Sequence, residues 1–143
     1  MRFLMLAPYL LWPLHGGSSV RMFYIIKELA KRGHRIVLLA GQQGMSPSDN
    51  VLNQLCEQVD SYELPSGSRL SFAIRSVFSG QPYPALKFQT RKLRERVYDL
   101  LHNKYFDLIW VNFLLLADTL SPALVRNTPV ILDQYESEEL LWQ

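Results

Sequence analysis

The feature that most constrains this chain is its first forty residues. There an apolar run, a glycine-bearing loop, a long helical pattern and a second apolar run follow in order. "RFLMLA" (2–7) is continuously apolar after Arg2, the pattern of a central parallel strand covered on both faces. The loop "PYLLWPLHGG" follows, and Ser18 or Ser19 is placed to cap a helix running to about Arg32. Gly33 supplies a left-handed stop, with Lys31 and Arg32 at the negative end of the helix dipole. "RIVLLA" (35–40) is a second strand, and strand, helix and strand at this spacing make one right-handed βαβ unit.

The rest of the chain continues the alternation. "GQQGMSPSD" reads as loop, "NVLNQLCEQV" as a short helix and "VDSYEL" as a weak third strand. Residues 65–84 are mixed, with helical spacing from Leu70 to Phe78 ended by Gly80, Pro82 and Pro84. "ALKFQTRKLRERVYDLLHNK" (85–104) predicts one helix with Leu93, Val97, Leu100 and Leu101 as its apolar stripe. "FDLIWVN" is a strand, "FLLLADTLSPALV" a helical crossover and "PVILD" a further strand. The expected fold is therefore α/β: one Rossmann-like domain, an open parallel sheet with helices on both faces. The terminal "YESEELLWQ" reads as the start of an acidic-capped helix, which suggests a molecule continuing past Gln143.

Composition narrows the functional classes. Fifteen Lys and Arg against thirteen Asp and Glu leave +2, too small an excess to point to nucleic acid. The single cysteine, Cys56, excludes an internal disulfide and a cysteine-rich metal site, fits a reducing cytoplasm, and reads as a buried small apolar residue. Arg2 and the apolar run after it resemble a secretion signal, but Pro8 and Pro13 interrupt the run and no cleavage site follows. No segment reaches the ~18 uninterrupted apolar residues of a spanning helix.

In open α/β sheets ligands bind beyond the carboxyl ends of the strands, and the loop 8–17 leaves such an end. Gly16 and Gly17 lack Cβ, so a ligand can approach their backbone closely, and amides at a helix N-terminus suit an anion. "HGGSS" fits neither the dinucleotide fingerprint nor the P-loop, so a tight turn made for geometry alone explains the glycines as well as a phosphate site does.

Pro8, Gly16, Gly17, Arg21, Leu29, Gly33, His34, Ile36 and Leu38 stand at spacings that resemble the opening of family-4 glycosyltransferases of the GT-B fold. "FDLIWVN" and "PVILDQYESEELLW", with Asp133, Glu138 and Trp142, are similar to that family's later strands in the same order. The resemblance implies one half of a GT-B fold, residues 1–143 being the N-terminal, acceptor-binding domain without the C-terminal nucleotide-sugar domain. It implies a hexosyltransferase-type activity in polysaccharide or glycolipid biosynthesis, with a sugar passing from a nucleotide-sugar to a saccharide or lipid-linked acceptor with retention. No metal and no cofactor other than the donor itself are expected, and the fragment alone should be inactive.

By matching positions, Gly16 and Gly17 would meet the donor diphosphate, with Ser18 beside them at the helix start and Arg21 able to clamp phosphate oxygens bidentately; Trp12, able to stack on a sugar face, Asp133 at a strand's carboxyl end and Tyr135 would line the acceptor site. Asn112 and His15 are the catalytic candidates. Asn112 stands where many relatives carry histidine, and an amide can hydrogen-bond a sugar hydroxyl but cannot exchange a proton near neutral pH. Tyr135 and Glu136 replace the usual His-Asn pair. Bland alternatives are an Arg21–Glu28 surface pair, an exposed His15, a capping His34, a solvated His102, and Leu10 and Leu11 covering their own core. Arg91, Lys92, Arg94 and Arg96 could rest on an anionic membrane or form a solvated helix face. Expected partners are the nucleotide-sugar, the acceptor and the missing domain, with no nucleic acid. The expected place is the cytoplasm, with peripheral contact at the inner face of the membrane as an option. A nucleotide-sugar 2-epimerase half and a non-catalytic interaction domain are the competing readings.

Overall fold

In the computed structural model, the described residues are 1–14, 16–42, 51–66, 74, 76–78, 80, 83–125 and 127–134. The element order is β1 (Arg2–Ala7), α1 (Gly16–Lys31), β2 (Arg35–Gln42), α2 (Leu52–Leu55), β3 (Gln58–Glu63), α3 (Tyr83–Phe88), α4 (Arg91–Asn103), β4 (Leu108–Asn112), α5 (Leu114–Ala117), α6 (Pro122–Val125) and β5 (Val130–Asp133). Among the described residues all strands are parallel in one sheet ordered β3-β2-β1-β4-β5. The order reverses between β1 and β4, with Phe3 opposite Leu108 and Leu6 opposite Val111. That topological switch point is where the carboxyl ends of neighbouring strands part and open a crevice.

Alternate residues of the central strands feed two cores. Phe3, Met5, Ile36 and Leu38 pack beneath Met22, Phe23 and Ile26 of α1, together with Leu52 and Cys56. Leu4, Leu6, Val37, Leu39, Ile109 and Val111 meet Leu93, Val97 and Leu100 of α4 and Leu116 of α5. This two-sided cover explains why β1 and β2 read as unbroken apolar runs. At the end of α1, Gly33 has φ 76°, Gly33 N–H donates to the Ala30 carbonyl and His34 N–H to the Leu29 carbonyl, so the expected stop is formed. His34 sets its ring edge-on to Phe3, centroids 5.3 Å apart.

Three local expectations are corrected. The predicted single helix over 85–104 is two helices, because Thr90 leaves helical geometry and its Oγ1 accepts from Leu93 N–H at 3.1 Å, starting α4 afresh. The strand expected to end at Ala40 continues through Gly41 and Gln42, which pair with Tyr62 and Glu63. Ser18 and Ser19 lie inside α1 rather than before it, and Ser19 Oγ donates to the Gly16 carbonyl at 2.9 Å instead of capping an amide. The expected terminal helix lies outside the described residues, as does most of the mixed stretch over 65–84.

Candidate functional site

The carboxyl ends of β1 and β4, the loop 8–14 and the start of α1 enclose a cavity of about 270 Å³. Its walls are mostly apolar, with Pro8, Tyr9, Leu11 and Pro13 facing three polar residues, Ser18, Ser19 and Asn112. The loop is pinned there by a close approach. Leu10 N–H donates to the Gly41 carbonyl at 2.7 Å, and a Cβ on Gly41 would stand 2.2 Å from the Pro8 carbonyl oxygen. Only glycine fits at that position, which the sequence reading had assigned to loop.

Asn112 is the last residue of β4 and is only 2% exposed. Its side chain lines the cavity together with Ser18 and Ser19. The next residue, Phe113, has φ 129°, a conformation that strains a bulky side chain by roughly 1–3 kcal/mol. Its ring lies edge-on to Phe88, which meets Tyr9 the same way, at centroid distances of 5.4 and 5.3 Å. Lys87 Nζ donates to Tyr9 Oη at 3.2 Å at the rim.

Gly16 and Gly17 are exposed at the same edge of the sheet, and a Cβ on either would meet nothing within 4 Å. The corner is therefore open, and Gly16 needs its glycine for φ 83°. A 16-residue helix begins here, with the positive end of its dipole at this corner.

Arg21 and Asp133 were assigned separately to donor and acceptor, and the structure joins them. Arg21 Nη1 lies 2.7 Å from Asp133 Oδ1, the arginine side chain 50% exposed and the aspartate 10%. Glu28 pairs with Lys31 at 2.7 Å instead, an interaction that holds its carboxyl below the ordinary range. Asp133 thus ties the end of β5 to the first turns of α1 through the Arg21 guanidinium. Trp12 is not in the cavity wall; its ring rests on Phe23 with centroids 5.7 Å apart. Leu11 is buried in the α1-side core and Leu10 packs against it, as the bland reading had them. His15 and Tyr135 lie outside the described residues.

Elsewhere the basic segment of α4 is largely neutralised. Arg91 pairs with Glu95 at 2.6 Å, Arg96 with Asp60 at 2.8 Å, and Lys92 with Glu63. Burial pushes the Cys56 thiol up to about 12 and raises the Tyr62 phenol as well. Among the described residues no cluster of His, Cys, Asp and Glu could hold a metal, and no helix is long and apolar enough to cross a membrane.

No family model and no curated protein matches the chain. Among solved structures it is similar to the C-terminal domain (residues 83–215) of the PF1911 hydrogenase from Pyrococcus furiosus. That match has 13% identity and a TM-score of 0.55 over 94% of this chain and 90% of that one. A second structure of that domain (residues 78–226) gives 15% identity and a TM-score of 0.57 over 92% and 89%. A UGT transferase from Siraitia grosvenorii in complex with UDP matches 95% of this chain and 28% of its own, with 13% identity and a TM-score of 0.47. At these identities the first two likenesses speak to the Rossmann-like fold alone, and the third is too loose to bear on function.

Proposed function

We propose that this domain is the acceptor-side half of a nucleotide-sugar-dependent glycosyltransferase of the GT-B type. The observation that carries the reading is the pairing of two features at one switch point: an open Gly16–Gly17 corner and an apolar cavity lined by Asn112, Ser18 and Ser19. The sequence resemblance supports the same reading. The amides at the N-terminus of α1, with Arg21 about one turn further along the helix, would neutralise a diphosphate, which leaves more readily when its charge is met by fixed donors. The cavity, apolar with a few neutral hydrogen-bonding groups, suits a sugar ring, which is apolar across its faces and hydroxylated at its rim. Asn112 would orient a hydroxyl rather than exchange its proton.

In this division of labour the nucleotide is gripped mainly by another lobe. Calorimetric titration of the chain with nucleotide-sugars should therefore show dissociation constants of about 1 mM or weaker, worth only about 4 kcal/mol. Micromolar or tighter binding would contradict the reading. A saccharide acceptor should shift signals of Asn112 and Ser18 in an NMR titration, and their silence across a panel of acceptors would count equally against it.

A further inference from the structure

A partly buried cation stands at the rim of the cavity. Lys87 lies in the last turn of α3. Besides donating to Tyr9 Oη, its Nζ sits 5.3 Å from the centroid of the Tyr9 ring and 5.4 Å from that of Phe88. Phe88 is buried and meets Tyr9 on one side and Phe113 on the other, both edge-on. The ammonium therefore rests on an aromatic rail that runs from the cavity wall at Tyr9 to the residue after Asn112. Holding a long side chain still costs rotamer entropy, and the attraction of the two rings for a cation offsets it. The charge is thus presented in one place rather than swept through solvent.

That charge has no acid to meet. Arg91, Lys92 and Arg96 of α4 each pair with a carboxylate, but among the described residues none pairs with Lys87. Asp118 is engaged by Gln89, and Glu63 by Lys92. An ammonium has three donors, and Tyr9 takes one of Lys87's. The polar residues inside the cavity, Ser18, Ser19 and Asn112, are neutral, so nothing there repels an anion. We propose that Lys87 selects acceptor sugars that bear an anionic substituent, a carboxylate or a phosphate. The substituent meets the Lys87 ammonium at the rim while the sugar ring lies in the cavity beside Asn112. This rests on the reading of the cavity as an acceptor site and adds to it the charge of the acceptor. A hydrogen bond from a cation to an anionic oxygen is about twice as strong as a neutral one, whereas a neutral sugar leaves the remaining donors of Lys87 to water.

The test is an NMR titration of the 143-residue chain with the methyl glycosides of glucose, galactose and mannose, and with the matching uronates and 6-phosphates. Affinities are read from the shifts of Asn112 and Ser18. For the sugars that bind, a charged form should bind about fivefold tighter than its neutral counterpart at low salt, and added salt should shrink the advantage. A preference confined to uronates or to phosphates names the source of the charge. Lys87→Met should bring the ratio of charged to neutral affinity to about one, and Lys87→Arg should keep most of it. The ratio is the readout because a general loosening of the site weakens both forms alike. An advantage that survives Lys87→Met puts the anion elsewhere, such as the glycine corner, and overturns the proposal. Neutral sugars that shift Asn112 and Ser18 as strongly as charged ones overturn it while leaving the acceptor site intact. Silence at both residues from every sugar removes the acceptor site and this selection together.

Discussion

At the residue scale the account turns on Asn112. A side chain kept for a ligand contributes little to the fold. Asn112→Leu should therefore keep stability in urea unfolding within about 1 kcal/mol, while removing the acceptor-induced shift at Ser18. A loss above about 2 kcal/mol would instead assign the residue to the fold. Cys56 makes a second prediction. Its thiol should not react with alkylating agents at pH 8 in the folded chain and should react fully once denaturant is added, read by mass spectrometry. The native thiol holds its proton between the ordinary value of 9.0 and about 12, where the unfolded chain loses it. Stability should therefore fall as pH rises through that window. What the sequence showed at this scale was residue type and order: two glycines after a strand, and an amide at a strand end. It could not show that Gly41 is as constrained as either, because its neighbour Pro8 lies far away in the chain and meets it only once the sheet has formed.

Elements carry the next two predictions. Gly41→Ala forces a methyl against the Pro8 carbonyl and the Leu64 side chain, so loop 8–14 must lift from β2. The expected cost is about 1–3 kcal/mol in chemical unfolding, with Asn112 becoming more exposed to solvent. Thr90→Ala removes the α4 cap and should cost about 1 kcal/mol, with Thr90→Ser retaining most of it. That cap was not legible beforehand. The helical spacing runs on through Phe88 and Leu93, and the residue three after Thr90 is leucine rather than the glutamate of a capping box. By contrast β1, β2 and β4 were legible as apolar runs, since both their faces are covered. β3 was faint because Asp60 and Ser61 interrupt it, Asp60 being held by Arg96 of α4. The Arg21–Asp133 pair couples two elements 112 residues apart, but half of the arginine is in water. A double-mutant cycle should give under about 1 kcal/mol of coupling in stability, so its effect should appear in ligand binding.

For the whole molecule, the alternation of strands and helices predicted a parallel open sheet, and the β3-β2-β1-β4-β5 order places its switch point beside the glycine corner. Strand order itself was not written in the local pattern; it follows from right-handed crossovers that change side between β3 and β4. The central claim is that this corner receives a diphosphate, and an NMR titration of the chain with inorganic pyrophosphate tests it most directly. The account predicts saturable shifts confined to Gly16, Gly17, Ser18 and the Arg21 guanidinium, weakened by added salt and lost in Gly17→Pro. Shifts spread over the exposed lysines and arginines with none at the corner would contradict it.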